Sequence, residues 1–359
     1  MLLIILACII ACFFAINIGA SGAAASMGIA YGSGVLQNKK TALLICGIGV
    51  FLGAAFGGGE VAKTLGSEII PENIVSVNVA LIILTAASIS LFIANISGIP
   101  LSTSEVTVGA IVGVGIAYQA LYIKTIVIIF LFWLLVPLIS FLLAYLANKV
   151  IKIMDKKLYF LSKGNWPKIL AILVILTGFL EAFSSGMNNV ANAMGPIIAA
   201  GIIDMKYGII IGGLFVASGA FFLGANVIET NGKKITNLSL LQGSAVSGIG
   251  ASLVIIASVF GIPVPHTQIT TCSIMGIGAS DKGKEIWKKA IVVKLAKTWV
   301  ISPVFSLVIS YNLVKLFIDF DFSGVAILFV FIIFVYCVNL WKPGRKSQSI
   351  VVEKIVTKK

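Results

Sequence analysis

Nine apolar stretches run through this chain of 359 residues, and most of them are long enough to cross the hydrocarbon core of a bilayer. They cover residues 1–16, 41–57, 74–97, 125–147, 168–183, 206–227, 238–262, 290–317 and 323–341. Lipid offers no partner to unpaired backbone groups, so segments this long are expected to be α-helices rather than barrel strands. The sequence therefore predicts an all-α polytopic membrane protein.

Charge is scarce and unevenly placed. Charged residues make up 11% of the chain, whereas a soluble domain has about 25%. The net charge of +13 comes from basic residues in short loops at membrane ends and in a Lys-rich tail. This is the pattern of cytoplasmic segments, so we expect residues 149–167 and 343–359 to lie in the cytoplasm of a prokaryotic cell, with the chain in the plasma membrane and no nucleic-acid partner.

The five cysteines fall singly in apolar segments, apart from Cys8 and Cys12, which lie one helical turn apart. No disulfide or metal-ligand spacing results. The chain also has no nucleophile–base pairing and no nucleotide-binding loop, which excludes an ATP-driven pump within this chain. We therefore expect no metal, no cofactor and no enzymatic activity.

Four blocks of sequence recur in the same order, 163 to 167 residues apart. The matched pairs include Gly19 with Gly186, Met27 with Met194, Pro100 with Pro263 and Trp133 with Trp299. Self-similarity of this kind indicates a duplicated chain. We predict a first repeat over residues 1–148, a basic linker over 149–167, a second repeat over 168–318, an extra helix over 319–342 and a tail over 343–359.

Loop charges predict that the repeats are inverted relative to each other. The Trp133 helix leads into the basic linker, whereas the Trp299 helix leads into residues 319–321, which have no Lys or Arg. The loop over residues 60–72 has an excess of Glu, whereas the corresponding loop over residues 229–237 has an excess of Lys. These two loops are therefore also predicted to face opposite sides of the membrane. Inverted repeats are typical of secondary transporters, whose site lies near the midplane. A structural membrane protein or a channel is the alternative.

Two segments in each half are short and rich in Gly and in Ser, Thr or Asn. The first pair covers residues 17–34 and 184–201, and the second covers Pro100–Thr107 and Pro263–Thr270. Gly and Pro favour helix breaks, which persist in a membrane only against protein or a wet cavity. The residues expected at helix breaks or in structural roles are Gly19, Pro100, Gly186, Asn192 and Pro263.

A helix that starts inside the membrane presents unpaired N–H groups and the positive end of its dipole. Such a start would bind an anion without a fixed cation. The predicted anion-binding residues are Ser21, Gly22, Ser102, Thr103, Ser104, Asn188, Asn189, His266 and Thr267. The alternative is that these side chains only cap helices or bond between them.

Residues 182–196, AFSSGMNNVANAMGP, resemble the signature of the inorganic phosphate transporter family, which reads roughly Gly-x-Asn-Asp-Val-Ala-Asn-Ala-x-Gly. The matching residues are Gly186, Asn188, Val190, Ala191, Asn192, Ala193 and Gly195. The family's second motif, Pro-x-Ser-Thr-Thr-His, resembles Pro100–Glu105 and, more loosely, Pro263–Gln268. The resemblance covers nearly the whole chain. It implies an inverted-repeat anion symporter with substrate held between two half-sites.

Departures from the family pattern bear on the substrate. The family's Asp is replaced by Asn189 and Gly22, and its His by Glu105 and Gln268. A carboxylate would coordinate sodium or accept the proton of hydrogen phosphate, but it would repel sulfate, which carries no proton. Neutral donors therefore favour an acceptor-only anion. The pattern resembles the sulfate permease branch of the family, which implies sulfate as substrate.

Glu105 lies beside the predicted anion site, where an ionised carboxylate would repel a dianion. An acid inside the membrane is a functional hypothesis by default, so we predict that Glu105 couples transport to protons. A bond to backbone N–H or to Lys297 is the structural alternative, and Glu60 and Glu181 are weaker candidates. Phosphate transport and a passive anion channel are the alternative functions, and a homodimer is left open as the assembly.

Overall fold

A computed structural model describes residues 1–96, 102–157, 164–229, 238–283, 290–322 and 324. In these ranges the protein consists of helices and turns. The helices are α1 (Leu2–Ser21), α2 (Gly28–Gly32), α3 (Lys39–Lys63), α4 (Val77–Ile96), α5 (Thr103–Ala117), α6 (Ile123–Lys157), α7 (Trp166–Ala199), α8 (Met205–Leu223), α9 (Leu240–Val259), α10 (His266–Lys282) and α11 (Ala290–Phe317). A 3₁₀ turn covers Ala23–Met27, and a π-helical turn covers Thr64–Glu68.

Six helical stretches in the described ranges are long and apolar enough to cross a membrane. They are Leu2–Gly32, Lys39–Glu68, Ile123–Met154, Trp166–Ala199, Met205–Leu223 and Leu240–Val259. Shorter apolar helices cover Val77–Ile93, Thr103–Ala117 and Ile301–Phe317. Large apolar side chains such as Leu134 and Phe222 are more than 70% exposed, as expected of side chains that face lipid. The prediction of an all-α multi-pass membrane protein is confirmed.

Helix ends coincide with capping residues and with glycines. The Asn38 side chain accepts a hydrogen bond from the Lys40 N–H at the start of α3. Ser239 and Gln242 form a reciprocal capping box at the start of α9. Gly201, just after α7, has φ +66°, a conformation that glycine adopts without strain.

Contacts divide the chain into two units, Met1–Tyr311 and Asn312–Lys359. The first unit holds α1 to α10 and most of α11. In the second, Lys315 and Asp319 form an ion pair at 2.7 Å. Most of the predicted extra helix over 319–342 and all of the tail over 343–359 lie outside the described residues. The predicted repeat boundaries stay predictions.

The helix breaks predicted at Gly186 and Asn192 are wrong, because α7 is continuous from Trp166 to Ala199. A Cβ atom on Gly186 would lie 2.0 Å from the Val50 carbonyl oxygen. Gly186 is therefore required for close packing of α7 on α3, which is how small residues serve in membrane helices.

Gly19 has the same role, and the predicted break at that position is also wrong. Helix α1 continues through Gly19, and a Cβ atom there would lie 1.9 Å from the Val216 carbonyl oxygen of α8. The segment does break three residues later, at Gly22, where α1 passes into the 3₁₀ turn.

The break predicted at Pro263 is confirmed, since it lies in the link between the end of α9 at Val259 and the start of α10 at His266. Pro100 lies outside the described residues. Helix α5 begins two residues after the gap, with Ser102 as its N-cap residue. Both short helices thus start where the sequence placed half-helices.

Helices α5 and α10 each pack against a long helix of the other predicted repeat. A Cβ atom on Gly113 of α5 would lie 2.3 Å from the Leu307 carbonyl oxygen of α11. One on Gly276 of α10 would lie 2.3 Å from the Phe141 carbonyl oxygen of α6. Both residue pairs are repeat equivalents, so the two contacts are alike. Reciprocal contacts of this kind are expected of halves related by a two-fold axis. The inverted orientation in the membrane stays a prediction.

Candidate functional site

The first turns of α5 and α10 face each other in the protein interior. Glu105 is the third residue of α5, and Gln268 is the third residue of α10. The Gln268 side-chain amide donates to Oε1 of Glu105, and both side chains are buried. The positive ends of two helix dipoles therefore converge at this point.

Neither helix start is capped by the side chain of its own N-cap residue. Ser102, the N-cap residue of α5, makes no side-chain cap bond, and the N-cap position of α10 is Pro265, which cannot make one. The first N–H groups of an α-helix have no partner within the helix. These groups can therefore donate to an anion.

Two hydroxyls of α5 meet three amides of α7. Thr103 donates to the Asn189 side-chain oxygen at 3.2 Å, and Ser104 donates to that of Asn188 at 3.2 Å. Asn192 donates to Thr103 at 3.3 Å and to Ser104 at 3.2 Å. None of the five side chains is more than 7% exposed. We call Thr103, Ser104, Asn188, Asn189 and Asn192 the hydroxyl–amide cluster.

Neighbouring groups hold the amides of this cluster in place. The Asn188 side-chain nitrogen donates to the Ser258 hydroxyl at 3.0 Å and to the Ile262 carbonyl oxygen at 3.1 Å. The Val264 N–H donates to the Asn188 side-chain oxygen at 3.2 Å. Asn189 donates to Ser185 at 2.9 Å. The link before α10 is thus joined directly to α7.

Several buried polar atoms on the surrounding helices make no well-aligned hydrogen bond to any residue that the structure describes. They are Oε2 of Glu105, Oγ1 of Thr107, Oδ1 of Asn192, Nε2 of His266 and Oγ of Ser302. Such atoms are rare in protein interiors and mark sites that bind or switch. In the described ranges, no three His, Cys, Asp or Glu side chains are close enough to hold a metal ion. The chemistry available here is anion binding by neutral donors beside one carboxylate.

Ser21 and Gly22 are not joined to the hydroxyl–amide cluster by any described contact. The Ser21 hydroxyl donates to the Asn17 carbonyl oxygen at 2.7 Å, and the Gly22 N–H donates to that of Ile18 at 2.9 Å. Both bonds lie within the same segment. Their role in anion binding stays a prediction without a contact to support it.

His266 and Thr267 are the first two residues of α10. His266 is buried, and the Thr267 carbonyl oxygen accepts a hydrogen bond from Thr271 at 2.7 Å. No described contact joins their side chains to the hydroxyl–amide cluster. The start of α10 reaches the cluster through the backbone N–H of Val264 instead.

Sequence reasoning missed two members of this site. Asn192 was expected at a helix break, yet it lies one turn from Asn188, and residues at this spacing share a helix face. Gln268 was not expected to contact Glu105. The side chain of Lys297, the alternative partner of Glu105, lies outside the described residues.

The two weaker acid candidates differ in their surroundings. Glu60 is exposed near the end of α3. Glu181 is buried in α7, where the Thr270 hydroxyl of α10 donates to its Oε1 at 2.9 Å. Glu181 therefore belongs to the interior polar groups that contact α10.

Known proteins resemble this chain over most of its length. The sequence pattern of the phosphate transporter family matches residues 18–310 of this chain. This range contains the whole hydroxyl–amide cluster. The sulfate permease CysP of Bacillus subtilis (strain 168) is 50% identical over 343 residues, which cover 95% of this chain and 96% of that protein. A solved structure described as the sodium-dependent phosphate transporter has 25% identity and a TM-score of 0.78, covering 89% of this chain and 100% of that one.

Proposed function

Because this chain belongs to the phosphate transporter family, we propose that it imports sulfate across the plasma membrane of a prokaryotic cell by proton symport. The chain is a multi-pass membrane transporter and not an enzyme. The observation that carries the choice of sulfate is the hydroxyl–amide cluster, a buried site of neutral donors in a chain that is half identical to a sulfate permease.

Sulfate has no proton at neutral pH, so every hydrogen bond to it must come from the protein. Thr103 and Ser104 supply hydroxyl donors, the amides of α7 supply N–H donors, and the uncapped start of α5 supplies backbone N–H groups. The hydroxyls at present donate to asparagine oxygens. A bound sulfate would accept these protons after simple rotation of the hydroxyls.

Proton coupling is assigned to Glu105. An ionised carboxylate beside a dianion repels it strongly where the dielectric constant is low, and protonation removes this repulsion. The Gln268 amide N–H donates equally well to a carboxylate and to the carbonyl oxygen of a carboxylic acid. Among the described residues, Oε2 of Glu105 makes no well-aligned hydrogen bond, although the Ser302 hydroxyl lies beside the carboxylate. This oxygen can therefore take up the proton.

Alternating access follows from the reciprocal packing of α5 and α10. Each short helix is anchored on a long helix of the other repeat, through Gly113 and Gly276 respectively. Rocking of one repeat against the other would then open the Glu105–Gln268 contact. In this scheme the repeats cover residues 1–148 and 168–318, and the linker and the tail face the cytoplasm. A homodimer is left open as the assembly.

Phosphate is the second candidate substrate. Hydrogen phosphate carries a proton and needs an acceptor, and Oδ1 of Asn192 is buried without a donor. The sodium-dependent phosphate transporter has the same overall fold. Because both anions are candidate substrates, the test lets sulfate and phosphate compete for the same purified protein.

The test uses proteoliposomes with an acidic exterior and labelled sulfate. We expect accumulation against a sulfate gradient that a protonophore abolishes and that does not require sodium. Entry of labelled phosphate that is faster than sulfate entry, together with full competition by phosphate, would assign phosphate as the substrate. Equilibration without accumulation would indicate a passive channel.

A further inference from the structure

Helix α10 contacts two buried carboxylates within its first five residues. Gln268 donates to Glu105 of α5, and Thr270, two residues later, donates to Glu181 of α7 at 2.9 Å. Glu181 is 3% exposed, so it is as deeply buried as Glu105. The start of α10 thus lies between the two acids and contacts both.

The surroundings of Glu181 contain hydroxyls and a thiol. On α9, the Ser247 hydroxyl lies beside the carboxylate, is 1% exposed and has no well-aligned hydrogen bond. On α3, the titratable neighbour is Cys46, whose thiol donates to a backbone carbonyl. On α10, His266 precedes Thr270 by one turn. Among the described residues, no Lys or Arg forms an ion pair with Glu181.

The Thr270 hydroxyl has two acceptors and one proton. Its Oγ1 lies 2.9 Å from Oε1 of Glu181 and 3.3 Å from the His266 carbonyl oxygen. When Glu181 is ionised, the hydroxyl must donate to the carboxylate. When the proton is on Oε1 of Glu181, the carboxyl donates to Oγ1, and the Thr270 proton turns to the His266 carbonyl oxygen. Protonation of Oε1 therefore reverses the bond to Glu181 and commits the Thr270 hydroxyl to the His266 carbonyl oxygen in the first turn of α10.

The contact between Gln268 and Glu105 lacks this property. The amide N–H of Gln268 is a donor whether Glu105 is ionised or neutral, so the direction of the bond does not change. Of the two contacts between α10 and a buried acid, only the contact at Thr270 reverses when a proton binds. An ionised Glu181 also has no cation among the described residues to balance it, which favours proton binding in a dry site.

We infer that Glu181 is a second proton-binding residue of the transport cycle and that Thr270 transmits its protonation to the start of α10. This inference rests on the proposed proton symport. One proton on Glu105 and one on Glu181 balance the two charges of sulfate. Transport is then electroneutral, and α10 moves with a proton bound at both of its acid contacts.

The test measures protons carried per sulfate in proteoliposomes, with a trapped pH dye and labelled sulfate, for the full chain and for Glu181→Gln. We expect one fewer proton per sulfate in the variant. The ratio does not depend on how much active protein is present. An unchanged ratio in Glu181→Gln, with a reduced ratio in Glu105→Gln, overturns the inference and leaves the proposed symport intact. A wild-type protein that carries sulfate without protons overturns both.

Thr270 is tested through the pH profile, because a purely structural residue would not move it. Thr270→Val removes the donor that stabilises the ionised form of Glu181, so the pH midpoint of uptake should shift upward. Thr270→Ser keeps the hydroxyl and should restore the wild-type midpoint. If Glu181→Gln does not fold, this pair decides the question, and equal midpoints in Thr270→Val and wild type overturn the inference.

Discussion

Glu105 and Gln268 occupy equivalent positions in the two repeats, 163 residues apart, and the side chain of Gln268 donates to that of Glu105. Each is the third residue of its short helix. Residues related by a two-fold axis meet only close to that axis. The predicted two-fold relation therefore places the junction of the two halves at this contact, where a change in charge acts on both short helices.

The first prediction concerns the charge of Glu105. Glu105→Gln should keep sulfate binding, because a neutral side chain of the same size replaces the protonated acid. Accumulation driven by a pH gradient should be blunted, because the proton site is lost. Sulfate uptake as a function of external pH checks this. Glu60→Gln, at an exposed acid near the end of α3, is the control and should behave as wild type. If Glu105→Gln left the pH dependence of sulfate uptake unchanged, Glu105 would have no place in the coupling scheme.

The second prediction concerns the donors of the hydroxyl–amide cluster. Ser104→Ala and Asn188→Ala should each weaken sulfate binding by about 1–3 kcal/mol, the usual cost of leaving a buried partner unpaired, or roughly 5- to 150-fold in Kd. Equilibrium binding to purified protein is the measurement. Ser90→Ala is the matched control, because Ser90 is a buried serine that bonds only within α4. Losses no larger than that of the control would disprove the role of the cluster.

The meeting of α5 with α7 was predictable, because hydroxyls after a helix break and amides in a repeated segment both suit an anion. The role of Gly186 in helix packing, rather than in a helix break, was not predictable. Glycine in an apolar helix serves equally as a break or as a contact surface, and the partner backbone at Val50 decides which. That partner comes from tertiary packing, which sequence spacing does not contain.

The repeat also predicts more symmetry at the site than the described contacts show. It placed Ser21 and Gly22 beside the anion as equivalents of Asn188 and Asn189. The position that corresponds to Asn192 is Ala25, inside a 3₁₀ turn that has no counterpart in the continuous helix α7. The first half therefore lacks both the amide and the helical geometry, and the described amide contacts come from α7.

The third prediction concerns the reciprocal helix packing. Gly276→Ala should lower stability by about 1–3 kcal/mol, the usual cost of overpacking, because the new methyl group would lie 2.3 Å from a backbone oxygen that cannot rotate away. Gly113→Ala should do the same at the equivalent contact. Thermal unfolding in detergent measures both. Gly248→Ala is the control, since a Cβ atom there meets only a Thr177 methyl group at 3.5 Å. Equal stability of Gly276→Ala and the control would contradict the backbone contact.

The fourth prediction concerns a polar network that joins the ends of three helices. The Lys152 ammonium lies 2.8 Å from the Asp281 carboxylate, Asn148 donates to the same carboxylate at 2.8 Å, and Gln242 donates to Asn148 at 2.8 Å. These bonds join α6, α9 and α10. Burial alone would raise the pKa of Asp281, but the bonds from Lys152 and Asn148 outweigh burial and hold this pKa below its ordinary value.

Because its folded-state pKa is lowered, ionised Asp281 stabilises the protein at pH values above its unfolded-state pKa of about 4. This contribution is lost as the pH falls through the folded-state pKa. Asp281→Asn should therefore lower stability at pH 7 by up to about 1 kcal/mol, since the pair is partly exposed and screened. Thermal unfolding between neutral and acidic pH should show the gap between variant and wild type closing on the acid side. Asp319→Asn removes an exposed pair within one segment and should cost less. A gap that stays constant with pH would mean that the charge of Asp281 does not stabilise the helix ends.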